Sequence, residues 1–123
     1  MKPRRASIND LVLLKDGLRQ LFYHHYILTG DEKYNILENI DDEYISAIIK
    51  SDTIYILGGG FIRGTKYTIL DIWIPLEERN KGLGTVLVKK FLRGKEGVKV
   101  KIDPRNLLAI SFWKKFASIN VIY

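Results

Sequence analysis

The sequence predicts a mixed α+β domain: two helices, an antiparallel meander of three strands, then helix, strand, helix and strand. Three observations carry that order. Apolar residues recur at helical spacing up to Ser51; runs rich in Ile, Tyr and Thr follow, separated by Gly-bearing turns; beyond Gly82 the hydrophobic period alternates between helix and strand. With 123 residues, 46% of them hydrophobic and 28% charged, the chain has the makeup of one globular domain and not of a disordered segment.

Ser7 followed by Asp10 is a capping pair, and Leu11, Leu14, Leu18, Leu21 and Phe22 form the apolar stripe of a helix from about Ile8 to about Tyr26. Thr29-Gly30-Asp31-Glu32 breaks it. Ile40, Tyr44, Ile45, Ile48 and Ile49 mark a second amphipathic helix that ends near Ser51-Asp52. Thr53 to Leu57 is a β-branched, apolar strand, Gly58-Gly59-Gly60 turns the chain, Phe61 to Arg63 is extended again, and Gly64-Thr65-Lys66 makes the next turn. The third strand, Tyr67 to Ile74, is closed by Pro75, which has no N–H to give a ladder.

From Gly82 onward Leu83, Val86, Leu87, Phe91 and Leu92 share one helical face, and Gly94 ends the helix. Val98, Val100 and Ile102 alternate with Lys99 and Lys101, the pattern of a strand with one buried face. Pro104 marks its exit. A last helix from about Asn106 to Phe116 carries Leu107, Ile110 and Trp113, and Ile119 to Tyr123 reads as a terminal strand.

The absence of Cys excludes disulfides, thiolate zinc sites and a Cys nucleophile. The start, Met1-Lys2-Pro3-Arg4-Arg5, is basic, but no apolar signal core follows and no apolar run reaches the length of a membrane span, so the expectation is a cytoplasmic protein without membrane contact. A net charge of +6 favours polyanionic partners, which include acidic acceptors, nucleic acid and the phosphates of a nucleotide cofactor. Nucleic acid is the less favoured of these, since no recognition motif accompanies the charge. Association into a homodimer is left open.

The segment with the most chemistry is Arg79-Asn80-Lys81-Gly82-Leu83-Gly84, between a strand and a helix. Two glycines one residue apart let backbone N–H groups converge on one point, and the helix N-terminus adds its positive dipole end, an arrangement that suits a diphosphate. Arg79 and Lys81 add positive charge. Taken alone, the segment reads equally as a turn that merely starts a helix. A dinucleotide fingerprint would need a third glycine where Leu87 stands, and Gly59 to Lys66 only approaches a P-loop, ending Gly64-Thr65-Lys66 and running into a strand.

With its flanking strand, the loop resembles the signature of the GNAT superfamily of acetyl-CoA-dependent N-acetyltransferases: Gln or Arg, two residues, Gly, one residue, Gly or Ala. It is met at Arg79, Gly82 and Gly84, after the strand Leu70-Asp71-Ile72-Trp73-Ile74. A second block agrees, with Asn106, Ala109, Phe112 and Trp113 standing where the family carries Asn, Ala and an aromatic pair. Arg4-Arg5-Ala6-Ser7 is similar to the lead into the family's first helix, so the resemblance implies one GNAT-like acyltransferase domain over residues 1–123.

The resemblance implies a twisted sheet in which the meander is followed by two splayed parallel strands, flanked by about four helices. It implies acetyl-CoA as co-substrate and no metal. Backbone groups of Ile72, Trp73 and Ile74 would pair with the pantetheine arm, and amides of Arg79, Asn80, Lys81, Gly82, Leu83, Gly84 and Thr85 would hold the pyrophosphate. Asn106 would reach the cofactor, and Trp113 would lie near the thioester sulfur. The acyl group would lie between the splayed strands, to be taken by direct attack of a primary amine.

Two departures stand out. Trp113 occupies the place where many members carry a Tyr that protonates the leaving thiolate, and an indole N–H is no acid near neutral pH. Ala117-Ser118 replaces the family's Gly-Phe. For the general base, Asp71 is the best-placed carboxylate, on the strand that leads into the loop and among apolar neighbours, with Asp103 second. A merely solvated or ion-paired carboxylate is the simpler reading of either. Glu77 and Glu78 read as surface charges. His24-His25 suggests a metal or a base, but adjacent helical residues diverge by about 100° and no third His or Cys completes a metal site. A CoA-binding module without turnover and a small basic nucleic-acid-binding protein are the alternatives to an enzyme.

Overall fold

Ser7 and Asp10 form the reciprocal cap that their spacing predicts. The Ser7 hydroxyl accepts from the Asn9 amide at 3.3 Å, and the Asp10 carboxylate accepts from the Ser7 amide at 2.9 Å. The computed structural model describes residues 2–123; Met1 of the basic start lies outside them. Ile8–Asp10 is a single 3-10 turn that feeds helix α1, Leu11–Thr29. The helix runs past the expected end at Tyr26 because Gly30, at φ +67°, is the first residue free to adopt the left-handed cap, and its N–H closes on the Tyr26 carbonyl at 2.8 Å. Helix α2, Asp42–Ser51, is capped by Asp41, whose carboxylate accepts from the Tyr44 amide.

Six strands form one sheet in sequence order: β1 Arg4–Arg5, β2 Thr53–Leu57, β3 Gly60–Gly64, β4 Thr68–Trp73, β5 Lys99–Lys101 and β6 Asn120–Ile122. β1 to β4 are antiparallel, and β4, β5 and β6 are mutually parallel. Helix α3, Leu83–Leu92, connects β4 to β5, and helix α4, Leu107–Trp113, connects β5 to β6. The expected meander, the parallel strands and the four helices are all present.

Two local features of β4 shape everything downstream. Arg63 lies opposite Asp71 while Gly64 lies opposite Ile69, so Leu70 is an extra, bulged residue that bends the strand. Gly64 is required at this point, because a Cβ there would overlap the Thr68 carbonyl and the Phe91 ring. The parallel ladder between β4 and β5 then holds only at Thr68 with Lys99 and Ile69 with Val100. Beyond that the strands separate, and the β5-facing edge of β4 from Leu70 onward has no strand partner.

Each face of the sheet has its own core. Ile62, Ile69, Leu87, Val88, Phe91, Val98 and Val100 pack under α3 and α4, with Trp113 and Ile119 closing the end. Leu14, Leu18, Ile45, Ile48, Ile54, Phe61 and Trp73 pack under α1 and α2. Gly17 lets α1 approach the sheet closely, since a Cβ there would stand 2.6 Å from the Phe61 ring. Both layers stabilise the sheet by removing apolar surface from water, at about 25 cal/mol per Å².

Candidate functional site

Where β4 and β5 part, a cleft of about 720 Å³ opens between the end of β4, the start of α3 and the start of α4. Its lining includes Ile72, Trp73, Ile74, Arg79, Asn80, Gly82, Leu83, Gly84, Thr85, Asn106 and Trp113. Every residue expected to meet the cofactor is therefore on this one cleft except Lys81, which is exposed on the loop beside it. The Trp73 indole is buried in the core beneath α1.

The loop before α3 is built to present backbone donors. Asn80 at φ +64° and Gly82 at φ +82° both take left-handed conformations. Among the described residues, no amide from Asn80 to Thr85 donates to a protein acceptor; the first helical bond runs from the Val86 amide to the Gly82 carbonyl. A Cβ on Gly82 would meet nothing within 4 Å. Orphan donors at the N-terminus of a ten-residue helix suit a diphosphate, and the residues fit coenzyme A in this respect. Gly84 faces the other wall, where a Cβ would come within 3.3 Å of the Phe112 ring.

Two neighbouring charges brace the loop. Arg79 donates from Nε to the Ile74 carbonyl at 2.8 Å, with its guanidinium 5.0 Å from the centre of the Trp73 ring. Glu77 is exposed as expected, but Glu78 is a correction: it is half-buried, and its carboxylate accepts from the Gly59 amide at 2.9 Å, tying the β2–β3 turn to the loop. Nothing in local spacing signals a contact across 19 residues. Asn106 accepts from the Ala109 amide at 3.1 Å and so caps α4 while lining the cleft.

A second, smaller cleft of about 280 Å³ lies in the gap on the side of α1, walled by Phe22, Tyr34, Ile69, Leu70, Asp71 and Asp103 among others. The Asp71 carboxylate is held by Arg63, Nη1 to Oδ2 at 2.8 Å, and Arg63 also reaches Asp52 at 2.8 Å and the Tyr44 hydroxyl at 3.3 Å. Burial pushes the Asp71 carboxyl up from its ordinary range, with Arg63 opposing that shift. Asp103 is ion-paired to Arg105 at 2.6 Å, which holds it well below the usual carboxylate range and leaves it a poor base.

Three solved structures share this architecture. The PaiA N-acetyltransferase of Thermoplasma acidophilum, solved in complex with coenzyme A, is 20% identical, with a TM-score of 0.69 over 93% of this chain and 86% of that one. A possible acetyltransferase of Clostridium difficile is 15% identical, with a TM-score of 0.68 over 99% and 92% of the two chains. An acetyltransferase of Thermus thermophilus is 18% identical, with a TM-score of 0.59 over 94% and 85%. The chain has a GNAT-like fold. No family model matches the sequence, and no curated protein matches it.

In this GNAT-type fold the two clefts meet, and the residues at their meeting point include His25, which the sequence raises as a metal ligand or base without a third ligand to complete a metal site. His25 lines both. Its ring stacks on Tyr34 with centroids 5.1 Å apart, and its Nδ1 is buried without a hydrogen-bond partner among the described residues. Burial lowers its pKa from the ordinary histidine value, with Asp103 acting in the opposite sense. Only the spacing of His25 along α1 from Leu14, Leu18 and Leu21 hints that it lies near the sheet. His24 is exposed and meets the Trp73 ring edge-on. Trp113 is buried against Phe112 and Phe116 while reaching both clefts. Among the described residues no helix is long and apolar enough to cross a membrane.

Proposed function

We propose that this protein is an N-acetyltransferase that moves an acetyl group from acetyl-CoA to a primary amine by direct attack, with both molecules bound at once. The run of unpartnered amides from Asn80 to Thr85, opening onto a cleft that ends between β4 and β5, carries this reading. Acetyl-CoA, when bound, supplies the acetyl thioester. The amides of the loop, with Lys81 beside them, would take the diphosphate, and the β5-facing edge of β4 at Ile72 and Trp73, with Ile74 just beyond it whose carbonyl already accepts from Arg79, would hold an extended arm as a further strand would be held. Asn106 would contact the arm from α4, and Trp113 would shape the apolar wall near the reacting end.

The chain's contribution to rate is then positioning in the gap between β4 and β5, with the strand-edge amides available to a developing negative charge on the carbonyl oxygen. The smaller cleft would take the acceptor, beside a wall on which Asp71 and Asp103 are each ion-paired to an arginine. The excess positive charge of the chain favours acceptors that are acidic overall.

Two measurements test the reading. Coenzyme A is expected to raise the melting temperature in a concentration-dependent manner. Acetyl-CoA with a panel of primary amines is expected to release free thiol, together with acetylated amine by mass spectrometry. Absence of any coenzyme A shift would sink the assignment. A shift with no turnover across a broad panel would favour a binding module, a reading to which the lack of an acid at Trp113 gives some weight.

A further inference from the structure

Acetyl transfer must occur where the cofactor cleft and the acceptor gap share walls, and six residues line both: Leu21, His25, Ile72, Asn106, Ala109 and Trp113. Of these six, the imidazole of His25 is the one side chain that can take a proton near neutral pH; the others are aliphatic, an amide and an indole. Asp71 lines the smaller cleft alone, and its Oδ2 is engaged by Arg63. Asp103 is committed to Arg105 through both carboxylate oxygens.

The protonation chemistry of His25 follows from its surroundings. Nδ1 is buried with no hydrogen-bond partner among the described residues, and no hydrogen bond among them engages Nε2, which leaves Nε2 as the nitrogen to exchange a proton with a molecule in the clefts. With the hydrogen on Nδ1, the Nε2 lone pair is free to accept. The ring is held from sliding by its stack on Tyr34. The charged and titratable groups around it are His24 on the same helix, Asp103 and Arg105 from the β5–α4 loop, Tyr34 from the α1–α2 connection, Asp71 on β4 and Lys101 on β5. Asp103 lowers the cost of a transient imidazolium.

We infer that His25 Nε2 is the general base that receives the proton of the acceptor ammonium, in place of Asp71. The inference rests on the acetyltransferase reading above. One proton passes from the ammonium to Nε2 and frees the nitrogen lone pair. The C–N bond forms as the thioester C–S bond breaks, the second surplus proton goes to the departing thiolate, and His25 returns its proton to solvent.

The test uses the whole chain, with the wild type compared to His25→Gln and Asp71→Asn. With a panel amine at saturation, His25→Gln is expected to lower kcat by about 100-fold or more, the low end of what a positioned base contributes, while coenzyme A still raises the melting temperature. The acidic limb of the kcat profile should lie below the ordinary histidine value in the wild type and in Asp71→Asn, and be missing in His25→Gln. The chain holds just two histidines, so their imidazole NMR signals separate readily; the signal lost in His25→Gln should shift when coenzyme A is added. If His25→Gln stays within about 3-fold of the wild type with its limb intact, or if Asp71→Asn abolishes the limb instead, the inference is overturned while the acetyltransferase reading stands. No turnover and no coenzyme A binding by the wild type would overturn both.

Discussion

Arg63 and Asp71 face each other across β3 and β4, Nη1 2.8 Å from Oδ2, with side chains 12% and 10% exposed. The pair sits on the α1–α2 face at the residue where β4 bends, and Arg63 extends it to Asp52. Removing the guanidinium would leave two nearly buried carboxylates without a counter-ion.

Arg63→Ala is therefore expected to destabilise the protein by about 3–5 kcal/mol at neutral pH, as for other broken buried pairs. The sign with pH follows from Asp71, whose folded-state pKa burial already raises. A raised carboxyl favours the fold in acid and costs stability as pH rises through its folded value. Urea unfolding should show the deficit of Arg63→Ala narrowing from neutral pH toward the ordinary carboxylate range, and a pH-independent deficit would count against this account.

Gly82 at φ +82° has open space where its Cβ would be. Gly82→Ala should cost about 1–2 kcal/mol through backbone strain alone and also weaken coenzyme A binding, because the methyl is added within the run of unpartnered amides. Gly30, at φ +67° with equally open space, is the control: Gly30→Ala should show a similar loss of stability in denaturant titration and unchanged coenzyme A affinity.

Gly84→Trp places an indole between the loop and Phe112, which a single Cβ already approaches to 3.3 Å. The variant is expected to keep the circular dichroism of the fold and lose the coenzyme A melting shift. Retention of the shift would show that the ligand does not pass this wall.

Asp10→Ala removes the carboxylate that accepts from the Ser7 amide and from Arg4. A cap of this kind is worth about 1 kcal/mol. Arg4 holds the Asp10 carboxyl below its ordinary range, so its contribution is complete above the unfolded carboxyl value and lost as pH falls through the folded one. Thermal unfolding of the two proteins should differ at neutral pH and converge in strong acid.

The cap at Ser7, the stripes of α1 and α3, the strand before the loop and the donors from Asn80 to Thr85 were all legible in the sequence, because each is decided by neighbours a few residues away. Periodicity and glycine placement report such local choices directly. Local spacing makes Glu78 a solvated charge and leaves His25 one of an adjacent pair without a third metal ligand, since what decides both is contact with segments far along the chain.

The sequence alone thus determined that a helix would begin with unpaired amides after Gly82, and that a strand rich in Ile and Trp would lead into it. Only the tertiary structure decided what faces the chemistry. The bulge at Leu70 and the end of the β4–β5 ladder after Ile69 depend on which strands pair and for how long, a balance of two cores on opposite faces of one sheet. That balance turns a run of residues into two clefts with a shared wall, and it is what places His25 of α1 and Trp113 of α4 on that wall.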